Sequence, residues 1–195
     1  MQRVRIVPIA TLMSLIFFAA APVWAANTPD NARVPAEFTG VLLDLSGKAT
    51  VPVTLHVDSF TTAAEVGQLS SLLGDEGPGR VVAALAEKKP RGWIRVGNLI
   101  GFEVPVIREF TTDKGTRIVA VLDRPFPLWE QLKGTRSPDA PFGIIELKLD
   151  LDGNGNGTLV PAGRVMFTQD GKIEIIGDGT TQHRIIGVTQ QPTGK

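Results

Sequence analysis

The sequence predicts an α+β fold: a strongly curved antiparallel sheet, or incomplete β-barrel, of about nine strands with a helical hairpin inserted after the second. Three observations predict it. Apolar and polar residues alternate with period 2 through most of the chain, short turns rich in Asp and Gly separate these runs, and only the stretch from Thr62 to Lys89 changes to helical spacing. Such turns join antiparallel neighbours, whereas parallel strands would need crossover helices that the chain lacks. A twisted sheet of that size tends to curl on itself.

The first 25 residues read as an export signal. Arg3 and Arg5 form a cationic start, Ile9 to Ala21 is uncharged and mainly apolar, and Val23-Trp24-Ala25 is a small-residue cleavage site. The apolar run is shorter than the roughly 20 residues a membrane-spanning helix needs. Cleavage removes two Arg and no acid, so the remaining chain is weakly acidic. The expected location is periplasmic or secreted, with no membrane span after cleavage. Residues 26–36, with Pro29, Pro35, Asn27, Asp30 and Asn31, read as a flexible leader, 37–190 as a single domain and 191–195 as a tail.

Within the domain, Val41, Leu43 and Leu45 alternate along one strand and Val51, Val53, Leu55 and Val57 along the next, across the turn Ser46 to Ala49. The Gly47-Lys48 pair is no phosphate loop, because Leu42 and Ala49 stand where Gly and Ser or Thr are needed. Thr62 and Glu65 then make a capping box, followed by Val66, Leu69, Leu72 and Leu73 at helical spacing. A break is expected over Gly74 to Gly79. A second helix, with Val81, Val82 and Leu85 inward, ends at Lys88 and Lys89 before Pro90. Strand patterns return at Ile94 and Val96, Phe102 to Val106, Ile118 to Leu122, Ile145 to Leu151, Val165 to Phe167, Ile173 to Ile175 and Arg184 to Thr189. The exception is Pro125 to Pro141, where four prolines surround Leu128, Trp129 and Leu132; a proline-bounded helical turn capping an open end of the sheet is expected there.

Composition excludes much chemistry. Twenty Lys and Arg balance twenty Asp and Glu, so no cationic face is large enough to hold a nucleic-acid backbone. With no Cys there are no disulfides, thiol nucleophiles or Cys-ligated metals. A chain of this length buries roughly 70% of its unfolded surface and needs no such staple. Two His and no Gly-x-Ser-x-Gly elbow argue against a Ser-His-Asp hydrolase. No cofactor is expected.

The most suggestive ligand-binding constellation combines Asp123, Arg124, Trp129 and Arg136. Arg presents a planar fork to carboxylate or phosphate, and Trp presents a stacking face. An internal Arg–Asp pair pinning the Pro-rich loop would use the same residues. Asp150, Asp152, Asn154 and Asn156 space oxygen ligands along a Gly-supported turn, as in a calcium loop. Its twelfth position is Pro161 in place of the bidentate Glu, so calcium would be held weakly or not at all; the simpler reading is a hairpin turn. His56 and Asp58 share one strand face, with His183 the only other imidazole.

The segments Asp123-Arg124-Pro125, Thr135-Arg136-Ser137 and Pro141 to Leu147 resemble a recurring pattern in a family of exported bacterial proteins without assigned activity, over about Val51 to Val188. The resemblance implies export and a shared fold, and no substrate or cofactor. The resulting expectation is a non-catalytic exported module that binds a small ligand or a protein partner. The alternatives are a hydrolase using carboxylates or a bound cation, and a structural protein of the envelope.

Overall fold

The computed structural model describes residues 34–43, 50–98, 100–126, 139–176 and 182–191. The predicted export signal, most of the leader, the turn at 46–49 and most of the Pro-rich excursion lie outside them. Among the described residues there are ten strands and two helices: β1 (Ala36–Leu43), β2 (Thr50–Val57), α1 (Ala63–Glu76), α2 (Pro78–Ala86), β3 (Gly92–Val96), β4 (Phe102–Val104), β5 (Val106–Thr112), β6 (Gly115–Val121), β7 (Phe142–Leu149), β8 (Asn154–Phe167), β9 (Ile173–Ile176) and β10 (His183–Gln191).

All strands pair antiparallel in the order β4-β3-β2-β1-β10-β8-β7-β6-β5, with β9 attached to β8. The two ends of that path, β4 and β5, are consecutive in the chain and separated by Pro105 alone. Proline cannot donate to a ladder, so it divides what the sequence reads as one strand, Phe102 to Val106, into two edges. No backbone pairing joins those edges among the described residues, so the sheet is not closed. A strap covers β5 instead: the Thr61 amide donates to the Ile107 carbonyl at 2.6 Å, the Ile107 amide donates to Thr61 Oγ1 at 3.0 Å, and Arg108 Nη1 donates to the Thr61 carbonyl at 3.1 Å. Covering unpaired edge groups in this way removes a template for aggregation.

Period 2 gives each strand two faces, and here both are used. On one face a single buried cluster takes residues from all nine strands of the path, among them Phe38, Leu55, Ile94, Val104, Ile107, Ile118, Ile145, Leu159 and Ile185. The space it occupies is packed with apolar side chains. A second cluster joins Val106, Val119, Val121, Phe142, Ile144 and Val160, on the other face of β5 to β8, to Val66 and Leu69 of α1, Val81 and Leu85 of α2, and Ile173 of β9.

The helices follow β2, as their period predicts. Thr62 caps α1, accepting from the Glu65 amide at 3.3 Å while Glu65 accepts from the Thr62 amide at 2.9 Å. Gly77, at φ +81°, ends α1 and opens α2, a backbone state that only glycine adopts without strain. On the same flank Arg117 of β6 donates to Glu146 of β7 at 2.6 Å and to the Ile173 carbonyl of β9 at 3.2 Å. Three strands are thereby tied together under one side chain.

Candidate functional site

A cleft of about 250 Å³ lies beside β4 and Pro105, between the end of α2 and the segment that follows β6. Its apolar wall is Leu85 of α2, Phe102 of β4 and Leu122 just after β6; its polar groups are Lys88, Glu103, Asp123 and Arg124. Each position has a local cause. Lys88 follows α2 and closes its last turn, its amide donating to the Leu85 carbonyl at 3.1 Å. Beyond β6, the segment Leu122 to Phe126 runs beside β7 and β8. The Leu122 amide donates to Gly143, the Gly143 amide to Arg124 and the Phe126 amide to Pro161, all at 2.8 Å. A side chain at 143 would stand 2.9 Å from the Phe126 ring and 3.0 Å from the Arg124 carbonyl, so glycine is what lets this segment lie close.

Asp123 and Arg124 form a bidentate pair, with Nε and Nη2 each 3.0 Å from a carboxylate oxygen. The Asp123 side chain is 13% exposed and that of Arg124 58%. The acid therefore faces inward and orients a guanidinium whose outer edge reaches solvent. Both residues of the pair line the cleft. Trp129 and Arg136, expected beside them, lie outside the described residues.

The capping glutamate belongs to the same neighbourhood. Burial pushes the Glu65 carboxyl up, but hydrogen bonds from the Thr62 backbone and hydroxyl and the charges of Arg91 and Lys88 outweigh it, holding the group below the usual carboxylate range. Arg91, which precedes β3, pairs with Glu65 and also donates to Ser59 Oγ at 3.2 Å. Sequence reading missed Lys88 and Glu103 as cleft residues. Lys88 was legible only as a helix-terminal charge, and nothing in the order of residues places Glu103 beside Asp123.

The other predicted groups fall elsewhere. Asp150 is at the β7–β8 turn, where its Oδ1 accepts the amides of Asp152 at 3.0 Å and Asn154 at 2.9 Å. That oxygen stabilises the hairpin. Asn154 and Asn156 are already in β8, opposite Thr189 and Lys148. Among the described residues no three His, Asp or Glu stand close enough to hold a metal ion.

His56 does meet acids: Nε2 is 3.3 Å from Asp58 and Nδ1 3.6 Å from Glu37. The ring also stacks on Trp93 at 5.2 Å between centroids, and Arg95 lies over Trp93 at 4.9 Å. Register explains the row, since Glu37, His56, Trp93 and Glu103 are direct cross-strand partners across β1 to β4. His183 starts β10, whereas Glu37 pairs with Gln191 at its other end. The two imidazoles are thus roughly 25 Å apart at about 3.3 Å per strand residue. They do not form one site, and His56 does not line the cleft.

No helix among the described residues is long and apolar enough to cross a membrane. Comparison with protein-family models, with curated proteins and with solved structures finds no match to this chain, so the resemblance carried by Asp123-Arg124-Pro125 and its companion segments rests on those residues alone.

Proposed function

We propose that this protein is an exported, non-catalytic binding module that takes a small organic anion in the cleft beside β4 and Pro105. The observation that carries the reading is the meeting, in about 250 Å³, of an apolar wall with Lys88 and an Arg124 oriented by Asp123. An apolar surface with a few convergent polar groups is the usual constitution of a small-molecule site. A guanidinium held in place loses little freedom on meeting a carboxylate or phosphate. Export rests on the pattern of residues 1–25.

The same proposal includes a sheet curled into an incomplete barrel with its seam at Pro105. The support is that one intervening residue holds both ends of the strand order together, and that a single apolar cluster draws on every strand of the path. The cleft then sits on the seam.

The test is thermal unfolding of the chain from Ala26 onward with a panel of small carboxylates and phosphates, with calcium alongside. A ligand selective for the folded state raises the melting temperature in proportion to the logarithm of its concentration. We expect a shift with at least one anion, reduced about tenfold in affinity by Arg124→Gln, as fits loss of a charge-assisted hydrogen bond. No shift with any anion, or an equal shift in the variant, overturns the reading.

A hydrolytic reading is favoured by one observation, the His56 ring between Glu37 and Asp58. It is the weaker reading, because Glu37, His56 and Asp58 do not line the cleft.

A further inference from the structure

We infer that a second pocket, beside the β7–β8 turn, is a binding site for a small primary ammonium compound, with the Glu109 carboxylate as counter-ion. The pocket holds about 130 Å³ and is distinct from the cleft beside β4 and Pro105. Its apolar lining is Phe38, Ile118 and Leu149, while Glu109, Thr111, Thr116 and Gln190 supply polar groups.

Glu109 is placed there by strand geometry. It lies two residues beyond Ile107 and directly opposite Ile118, and both of those residues belong to the apolar cluster. Its side chain therefore points to the apolar face of the sheet, where the alternation would otherwise put a hydrophobe. No hydrogen bond or ion pair reaches this carboxylate among the described residues. Arg108, its chain neighbour, acts on it only at a distance: its guanidinium sits on the opposite face, donating to the Thr61 carbonyl and lying 5.6 Å over the Phe110 ring. Burial accordingly pushes the Glu109 carboxyl above the ordinary range.

A half-buried carboxylate without a partner costs free energy, and a cation delivered into the pocket recovers that cost. The pocket's chemistry selects the cation. The Glu109 carboxylate, two Thr hydroxyls and a Gln amide oxygen suit an ammonium group with its three donors. A hard divalent ion wants six to eight oxygens, and the other carboxylate of the lining, Asp150, already has Oδ1 engaged by two backbone amides. The apolar lining and Leu151, 78% exposed in the turn above, suit a short alkyl chain. At about 30 Å³ per water, the volume admits a compound of roughly four to six non-hydrogen atoms.

The experiment uses the chain from Ala26 onward and n-butylamine hydrochloride as probe, with n-butanol, tetramethylammonium and calcium as controls, read by amide chemical-shift titration. We expect n-butylamine to move the amides of Gly115, Thr116 and Gly153, with affinity lowered about tenfold or more in Glu109→Gln and unchanged in Arg124→Gln. The proposal is overturned if butanol, tetramethylammonium or calcium produces the same shifts, if no shift occurs, or if the shifts map to Lys88 and Phe102. The wild-type map decides without any variant, so a poorly folded Glu109→Gln leaves the result standing. Because the anion site is read at Arg124, failure of either site is distinguishable from failure of the other.

Discussion

Glu109, Glu65 and Glu146 all lose water on folding, and burial by itself raises each carboxyl; their neighbours separate them. Glu146 receives hydrogen bonds from Arg117 and Lys148, and Glu65 from Thr62 with the charge of Arg91, so both end below the ordinary value of 4.5. Groups lowered in this way stabilise the fold fully above 4.5, and that stability is lost as pH falls through their folded values. Among the described residues Glu109 has no such partner, and it ends above 4.5. It binds its proton more tightly when folded, so its contribution is present below 4.5 and lost as pH rises through the raised folded value. Glu109→Gln is therefore expected to stabilise the protein at neutral pH by up to about 1 kcal/mol, a modest gain because water still screens a half-buried group. The gain should vanish at pH values below 4.5. Urea unfolding of both proteins across that range measures it, and an equal difference at acid and neutral pH would show that the charge is not the cause.

Elements of this chain differ in how much local chemistry specifies them. The capping box predicts the start of α1 from two residues, and Thr62→Ala should cost about 1 kcal/mol by urea denaturation, the usual worth of such a cap. The end of α1 is less legible. The sequence suggests a break from Gly74, yet the helix continues to Glu76 and turns only at Gly77. A glycine inside a helix costs roughly 1 kcal/mol, which packing of Val66 and Leu69 against the sheet offsets. β8 departs further. Its Asn154 to Gly157 portion reads as loop, but Gly155 and Gly157 are where β7 comes closest: an added Cβ would stand 1.9 Å from the Lys148 carbonyl and 2.6 Å from that of Glu146. Pairing with two neighbours makes a strand of residues with little strand propensity.

Across the whole molecule, β6 from Ile118 to Val121 and β7 from Phe142 to Ile145 are buried on both faces, and this is the feature the sequence hides best. Ile145 belongs to the cluster shared by all strands of the path, and its neighbour Ile144 to the cluster under the helices. Alternation alone assigns Ile144 to the outward, polar side with Glu146 and Lys148. Since both are fully buried, Ile144→Ala and Ile145→Ala should each cost about 2–5 kcal/mol in chemical denaturation. A cost below about 1 kcal/mol for Ile144→Ala would mean that the helices do not cover this face. Both losses should appear in one cooperative transition, since the same strands carry the two clusters.

Period, turn chemistry and caps act over a few neighbouring residues, so they were readable from the chain: antiparallel strands, two helices between β2 and β3, and a capping box at Thr62. The pairing order of the strands is not local. β10 lies beside β1, and β4 and β5 end at opposite edges of one sheet although a single proline separates them, because burying apolar surface over many distant residues decides which strands meet. Asp123 and Arg124 could be singled out in advance, since adjacent residues can pair wherever the chain goes. Lys88, Glu103 and Glu109 could not, because the charge a side chain faces depends on which strand arrives opposite it.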